Sequence, residues 1–262
     1  IDPIGLAAIF LAMGAGVPDT TPAMNVNRLC GSGAQAIVSA VQNLMLGDAD
    51  YALAGGAESM SRAPYIVPDQ RWGAKMGDIR TLDMMLGALH CPFGTGHMGV
   101  TAENVAAEHG VSRDDQDAFA LQSQERAAAA IAAGYFKEQI VPVEVTVKRQ
   151  AVMFDIDEHP KATSLAALGG LKTVFRKDGT VTAGNASQLS DGAAALVLMD
   201  SDLAAREGLE PLGAFKGFVV AGCEPDEMGI GPVFAVPRLL ERHGLKVVDI
   251  DLWELNEAFA VQ

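Results

Sequence analysis

The sequence is poor in cysteine, in aromatic residues and in positive charge. Three cysteines stand alone at positions 30, 91 and 223, without the paired spacing of a zinc site and too few for a disulfide framework. Lysine and arginine number 19 against 33 aspartates and glutamates, and this net charge of −14 argues against nonspecific nucleic-acid binding. No apolar run approaches the length of a membrane span. We therefore expect no metal site, no nucleic-acid or membrane partner, and a reducing, cytoplasmic compartment.

The rest of the composition is that of an ordinary globular protein. Hydrophobic residues make up 49% and charged residues 20% of 262 residues, a length that suits one large domain or two modest ones. The chain opens at Ile1 without a methionine and closes at Gln262, one turn into a helix expected from about Glu257. We therefore expect an internal fragment of a longer protein, in which any targeting segment would be invisible.

A tight turn around Cys30 carries the strongest signal in the sequence. It follows Met24-Asn25-Val26-Asn27, which is compatible with a strand, and precedes residues 33–46, whose apolar residues recur at helical spacing. Gly31 and Gly33 let the backbone bend and approach a ligand. A thiol at a helix N-terminus faces unpaired N–H groups and the positive end of the helix dipole, which favour the thiolate. On this geometry alone, Cys30 is either a nucleophile or a buried structural cysteine.

The elements around this turn predict an α/β fold. An Ala-rich buried helix is expected over residues 3–13, and Gly47 ends the helix after Cys30, before a buried strand over residues 51–56. Such a strand–helix–strand unit is the crossover that parallel strands need. Residues 62–100 show no sustained period, and a stretch of this length without regular elements is usually functional.

Further along, helix and strand signals alternate. Thr101 is expected to cap a short helix that Gly110 ends, and Ser112 with Asp115 resembles a capping box that opens a long helix to about Ala133. The remaining pattern predicts strands over 140–147, 212–221 and 250–255, helices over 201–208 and 234–243, and a loop over 224–232.

Two stretches resemble the signatures of the thiolase family, the acetyl-CoA C-acyltransferases. One is Asn27-Arg28-Leu29-Cys30-Gly31-Ser32-Gly33, followed by Ala54-Gly55-Gly56-Ala57-Glu58-Ser59-Met60-Ser61, and the other is Asn256-Glu257-Ala258-Phe259. The resemblance extends over essentially the whole chain. It implies a layered αβαβα architecture with an inserted loop domain, truncated at both ends.

The resemblance also implies a domain division. Residues 1–61 would begin the N-terminal half, residues 62–184 would form the inserted, CoA-binding loop domain, residues 185–210 would complete that half, and residues 211–262 would begin an incomplete C-terminal half. Within the loop domain, residues 148–177 carry six positive against three negative side chains. This segment is either an ordinary solvated surface or a source of positive potential for the phosphates of CoA.

Roles for individual residues follow from the resemblance. Cys30 would take the acyl group from acyl-CoA, and the Asn256 amide would position a water in the oxyanion hole. Ser187 would contact the pantetheine arm, with His97 near pantetheine and Met98 against the acyl group. The other expected contacts with the pocket, adenine or pantetheine are Phe259, Met228, Phe175 and Ala183.

Each of these residues also has an ordinary structural explanation. Asn256 is a good helix cap, Ser187 suits a local turn, and His97 fits a loop or interior histidine. Gln188 stands where the family usually has glycine after the serine, which weakens the match of that turn. Cys91 and Cys223 match no catalytic position and are interpreted as structural, and His90 and His109 as surface or loop residues.

The resemblance predicts an acyl-CoA C-acyltransferase that moves an acyl group through a cysteine thioester. Its substrates would be CoA thioesters, with no permanently bound cofactor, and a homodimer or homotetramer is expected by analogy. Residues 27–100 resemble bacterial broad-range β-ketothiolases, whereas 221–262 resemble other acyl-CoA acyltransferases. The family's Gly-His-Pro and Cys-x-Gly motifs do not occur in the 262 residues, so this chain alone is expected to be inactive.

Two other functions fit part of the sequence. A noncatalytic acyl-CoA-binding or regulatory truncated paralogue would keep the fold without those two motifs. A decarboxylating ketoacyl synthase shares the fold and the nucleophilic cysteine but uses two histidines, and Asn256-Glu257-Ala258-Phe259 argues against it.

Overall fold

The computed structural model of the protein describes residues 12–262. The named helices are Ser32–Leu46 (α1), Met84–Ala88 (α2), Met98–His109 (α3), Arg113–Ala132 (α4), Leu165–Gly169 (α5), Ser201–Arg206 (α6) and Gly231–His243 (α7). The strands are Tyr51–Ser59 (β1), Tyr65–Ile66 (β2), Leu82–Asp83 (β3), His90–Cys91 (β4), Gly96–His97 (β5), Val143–Val147 (β6), Gln150–Phe154 (β7) and Asp191–Met199 (β8). Short 3₁₀ helices lie at Met60–Arg62, Pro68–Trp72, Pro225–Ile230 and Val247–Asp249.

The described chain forms two compact units. The first unit contains residues 12–62 and 190–218, and the second contains residues 63–189 and 219–262. The division of the chain into thiolase halves and an inserted loop domain stays a prediction.

The first unit is built on an antiparallel pair of long strands. β1 and β8 pair from Tyr51 opposite Met199 to Ser59 opposite Asp191, and α1 packs against both strands. The helix ends as its sequence predicts, because Gly47 adopts a left-handed φ of 75° and donates to the carbonyls of Asn43 and Leu44. The paired strands β1 and β8 therefore support α1, the helix that follows Cys30.

The second unit has its core between α3 and two later segments. The most buried apolar residues of this core are Ala102, Val105, Ala106, Val181 and Val261. The predicted capping box opens α4, with the Ser112 hydroxyl accepting from the Asp115 N–H and the Asp115 carboxylate accepting from the Ser112 N–H. The small apolar residues of α3 thus bring the 181 and 261 segments against one helix face.

The predicted parallel strands are wrong within residues 12–262. Residues 24–27, 212–221 and 250–255 form no strand, and the ladders between named strands are antiparallel. A β-compatible segment becomes a strand only where a neighbouring backbone accepts its hydrogen bonds, and these segments have no ladder partner in the described part of the chain. Residues 51–56 do form a strand, but only Ala54 is buried, so the expectation of a buried strand is also wrong.

Four further expectations need correction. The helix up to His109 begins at Met98 and is capped by His97, not Thr101, since the His97 ring accepts the Gly99 N–H. Residues 62–100 contain short helices and two-residue strands, and residues 225–230 form a 3₁₀ helix rather than a loop. The helix expected from Glu257 does not form, because the Ser187 N–H donates to the Ala258 carbonyl and the Ala260 N–H to the Asn185 carbonyl.

The helix predicted over residues 3–13 lies almost wholly outside the described residues. Its last part agrees with the helical backbone of residues 12–14. Among the described residues, the helices are too short or too polar to cross a bilayer.

Candidate functional site

The Cys30 turn is tied down by hydrogen bonds on both sides of the sulfur. The Asn27 side chain accepts from the Leu29 N–H at 2.9 Å, and the Ser32 hydroxyl accepts from the Arg28 N–H at 2.9 Å. The same hydroxyl donates to the Leu29 carbonyl at 2.6 Å. Cys30 is exposed and comes directly before Gly31, the N-cap residue of α1. The turn therefore presents the thiol to solvent at the start of a 15-residue helix.

Leu29 adds a backbone feature that the sequence does not suggest. Its φ is 47°, in the left-handed region, where a residue with a Cβ costs roughly 1–2 kcal/mol. Strained non-glycine residues of this kind cluster at functional sites. The strain places the residue before Cys30 in a conformation that its neighbouring hydrogen bonds maintain.

In the second unit, three aromatic rings meet at the start of α3. The Phe175 ring stacks on His97 with centroids 4.7 Å apart, and Phe259 meets Phe175 edge-on at 6.3 Å. A Cβ on Gly99 would lie 2.1 Å from the Phe175 ring, so only glycine leaves room for the stack. The structure thus brings together His97, Phe175 and Phe259, all predicted from the sequence.

The His97 ring is held in one protonation state by its surroundings. Its Nδ1 accepts the Gly99 N–H at 3.0 Å, which leaves Nε2 as the donor of a neutral ring. Burial, and then the charge of nearby His90, lowers the pKa of His97. At neutral pH the ring is therefore an uncharged hydrogen-bond donor stacked on Phe175.

Ser187 and Asn256 line one cleft of about 240 Å³ in the second unit. One wall of this cleft is the face of α4 with Phe119, Ser123 and Gln124, and another is the segment 184–188. The Ser123 hydroxyl donates to the Glu257 carboxylate at 2.6 Å, which ties the residue after Asn256 to α4. Both predicted side chains are exposed, so their polar groups are accessible.

The remaining predicted contacts are spread over the second unit. Met98 is half-buried at the start of α3, Ala183 is exposed on the turn before Asn185, and Met228 is exposed in the 3₁₀ helix Pro225–Ile230. Cys30 belongs to the first unit.

Three cations and one carboxylate share a shallow surface with Phe175. This surface is formed by residues 172–178, which include Lys172, Arg176, Lys177 and Asp178, and the Arg176 guanidinium donates to the Asn104 side chain. The charge reversal seen in the sequence thus includes cations beside an aromatic ring. This combination suits a ligand with phosphates and an aromatic base.

The other two cysteines differ from Cys30 in their surroundings. Cys91 is buried, and Cys223 is half-buried near Glu224 and Glu227. Burial, followed by the charges of Glu227 and Glu224, raises the pKa of the Cys223 thiol. That thiol stays protonated at neutral pH and is a poor nucleophile.

Sequence reasoning missed the polar residues that hold the 180–187 segment. The Asn185 amide accepts from the Thr182 N–H at 2.8 Å and donates to the buried Asp117 carboxylate at 2.9 Å. Asp117 in turn pairs with Arg113 at 2.7 Å. Glu103 binds the start of the same segment. The available signal was Glu103 itself, an acid four residues after Gly99 and three before Ala106, on the apolar face of α3.

Comparison with known families decides the identity of the fold. Residues 7–202 match the family model described as the thiolase N-terminal domain, and residues 209–262 match the thiolase C-terminal domain. The chain belongs to the thiolase family. The family predicted from the sequence is thereby confirmed.

Individual thiolases agree with this assignment. The chain is 57% identical to the beta-ketothiolase BktB of Cupriavidus necator over 253 residues, covering 96% of this chain and 64% of the relative. It is 45% identical to the human mitochondrial 3-ketoacyl-CoA thiolase, covering 97% of this chain and 66% of the relative. The chain thus spans slightly less than two thirds of the length of these thiolases.

Solved thiolase structures show the same fold. The crystal structure of human mitochondrial 3-ketoacyl-CoA thiolase superposes with a TM-score of 0.93 at 44% identity, covering 97% of this chain and 65% of that one. A structure of the same human enzyme in complex with CoA gives a TM-score of 0.90 at 45% identity, covering 97% and 64%. The predicted thiolase-like α/β architecture is confirmed, although the strand pairing expected within this chain is not.

Proposed function

We propose that the complete protein is an acyl-CoA C-acyltransferase that carries the acyl group as a thioester on Cys30. The observation that carries the proposal is the exposed thiol on a hydrogen-bonded turn directly before α1, in a chain of the thiolase family. Relatives named as a beta-ketothiolase, acetyl-CoA acetyltransferases and 3-ketoacyl-CoA thiolases support the reaction class.

In the degradative direction, the Cys30 thiolate attacks the 3-keto carbonyl of a 3-ketoacyl-CoA. The new S–C bond forms, the bond between carbons 2 and 3 breaks, and the electron pair left on the acetyl-CoA carbon takes up a proton. CoA then attacks the acyl-cysteine and regenerates the thiol, which is a ping-pong scheme. In the condensing direction, the acyl group passes to the carbanion of acetyl-CoA instead.

The second unit supplies the proposed contacts to the coenzyme. Ser187 and Asn256 offer a hydroxyl and an amide in one cleft, which suit the pantetheine arm and a water that binds the thioester oxygen. The His97–Phe175 stack and the cations of residues 172–178 suit the rest of CoA. The human thiolase solved in complex with CoA supports this assignment of a CoA thioester as substrate.

Some of the chemistry must come from residues other than these. A base that deprotonates Cys30 and a second cysteine that moves the proton on acetyl-CoA are expected in Gly-His-Pro and Cys-x-Gly, which the 262 residues lack. The alternative is a noncatalytic protein that binds acyl-CoA. A homodimer or homotetramer and a cytoplasmic location stay predictions.

Mass spectrometry tests the proposal directly. The complete gene product is incubated with acetyl-CoA, digested and searched for an acetyl adduct. We expect the adduct on Cys30, none in Cys30→Ser, and unchanged labelling in Cys223→Ser, the matched cysteine control. Turnover without an adduct on Cys30, or full activity of Cys30→Ser, contradicts the proposed nucleophile. CoA binding without turnover favours the noncatalytic alternative.

A further inference from the structure

Glu103 is a buried carboxylate in the middle of an apolar helix face. Its side chain lies on α3 beside Ala102 and Val105, and the residue is 3% exposed. Removing a carboxylate from water costs several kcal/mol unless the protein supplies donors to its oxygens. A residue of this kind in the core therefore indicates that its charge is used to hold something.

The donors come from one turn, 77 and 78 positions later in the chain. The Val181 N–H donates to Oε1 at 2.9 Å, and the Thr180 N–H lies 3.0 Å from Oε1 and 2.8 Å from Oε2. The Thr180 hydroxyl donates to Oε2 at 3.0 Å. Both oxygens act as acceptors, a pattern that a carboxylate satisfies and a neutral amide cannot.

Gly179 lies against the Glu103 carboxylate, where only a residue without a side chain leaves it room. A Cβ built on Gly179 would lie 2.3 Å from Oε1 of Glu103, so a larger residue there would push the carboxylate away from its donors. Gly179 does not have a positive φ. Space rather than backbone conformation therefore requires glycine at this position.

The turn that donates to Glu103, at Thr180 and Val181, continues along the chain to Ser187, a proposed ligand contact. Asn185, four residues after Val181, accepts the Ala260 N–H at 2.8 Å, and the Ser187 N–H donates to the Ala258 carbonyl at 2.8 Å. On its other side, the helix that carries Glu103 begins at Met98, directly after the His97 cap. The Glu103 carboxylate thus connects the helix that His97 caps, and that begins at Met98, to the segment that carries Ser187.

We propose that Glu103 is a positioning residue for the CoA thioester, which it serves by fixing the 180–187 segment against α3. The inference rests on the proposed function, because it takes His97, Met98 and Ser187 as ligand contacts. It adds a residue that touches no ligand itself and acts through Thr180 and Val181.

Glu103→Gln and Gly179→Ala test this inference by different means. In Glu103→Gln an NH₂ group replaces one of the two oxygens, each of which lies within 3.0 Å of the Thr180 N–H. A donor then faces a donor, so the dissociation constant for acetyl-CoA should rise about tenfold. Gly179→Ala keeps the charge and displaces the carboxylate, and should raise the same constant about threefold or more. The dissociation constants of both variants are measured by calorimetry on the complete gene product, below the unfolding temperature of each variant. The rate of Cys30 acetylation at saturating acetyl-CoA should stay within about twofold of the parent.

Glu108→Gln is the matched control, since it removes the same charge from an exposed position of the same helix. Three results overturn the inference: affinity within about twofold of the parent in both variants, an equal loss in Glu108→Gln, or a loss of saturated acetylation as large as the loss of affinity. If Glu103→Gln does not fold, Gly179→Ala decides alone.

The outcomes separate this inference from the proposed function. A parent protein that binds acetyl-CoA but transfers no acyl group contradicts the proposed reaction, and the affinities of the variants still decide the role of Glu103. A parent protein that binds no CoA thioester overturns both.

Discussion

His97 accepts the Gly99 N–H, one of the first amides of α3, through a neutral ring nitrogen. A protonated ring would have no lone pair for this N–H, so the cap and the ring charge exclude each other. The same ring stacks on Phe175, with His90 contacting it edge-on at 5.3 Å. At the scale of one residue, the start of α3 therefore depends on pH.

We predict that the protein loses stability in acid through His97. Its pKa is lowered in the folded state, so the unfolded chain takes up a proton first as pH falls through the ordinary histidine value of about 6.5. The resulting loss grows until pH has dropped below the lowered pKa. In His97→Asn the amide oxygen still caps the helix without titrating. The unfolding free energy of the parent relative to this variant should therefore be constant above about pH 7.5 and decrease towards pH 5.

Urea unfolding at several pH values measures this difference. Loss of the ring stack in His97→Asn changes the unfolding free energy by an amount that does not depend on pH. The test is therefore how the difference in unfolding free energy between parent and variant changes with pH. His90→Asn removes the smaller of the two causes of the lowered pKa, and should leave a shallower slope than the parent shows. Parallel pH profiles of the parent and His97→Asn would refute the prediction.

At the scale of one element, two adjacent glycines in β1 face different neighbours. A Cβ on Gly55 would lie 2.5 Å from the Ala194 carbonyl oxygen in the partner strand β8. A Cβ on Gly56 would meet the Gly33 Cα of α1 at 3.5 Å, an ordinary contact. The close approach of β1 and β8 therefore requires glycine at position 55, whereas position 56 has room for a methyl group.

We predict that Gly55→Ala destabilises the protein by about 1–3 kcal/mol, because backbone atoms of β8 cannot move aside without separating the ladder. Gly56→Ala, its matched control, should change the unfolding free energy by about 0.5 kcal/mol or less. Chemical unfolding followed by circular dichroism measures both. Equal effects of the two substitutions would show that contact between residue 55 and the Ala194 carbonyl does not cause the loss of stability.

At the scale of the whole molecule, the proposed ligand and the protein carry charge of the same sign. The net charge of −14 repels an anionic coenzyme, whereas Lys172, Arg176 and Lys177 lie together beside Phe175. Local cations within a few ångströms of a phosphate outweigh distant carboxylates, because salt screens charges more than about 8–10 Å apart. The acidic surface and a CoA site are therefore compatible if the phosphates bind at this segment.

We predict that the double variant Lys172→Gln, Lys177→Gln raises KM for acetyl-CoA about fivefold and leaves KM for acetyl-pantetheine, which lacks the nucleotide phosphates, unchanged. The parent should lose affinity for acetyl-CoA as salt is added, and the variant should lose less. Lys137→Gln, an exposed lysine of the same unit, serves as the control. An equal rise in KM for both substrates would place the phosphates elsewhere.

The helices were predictable because their signals are local. Gly47 ends α1, Ser112 and Asp115 open α4, and Gly244 ends α7, each through hydrogen bonds within a few residues along the chain. The strands at 212–221 and 250–255 were predicted wrongly, because alternation shows what a segment could pair with but supplies no partner.

The sequence by itself determined the thiolase family, the Cys30 turn before a helix, and the ends of the main helices, since residues close in the chain decide each of these. Only the tertiary structure decided the stacking of His97, Phe175 and Phe259, the cleft shared by Ser187 and Asn256, and the grip of Glu103 on Thr180 and Val181. These contacts join residues that are tens of positions apart. The physical reason is that a buried charge needs donors, and a ring needs apolar neighbours, that only the fold brings to it from distant parts of the chain.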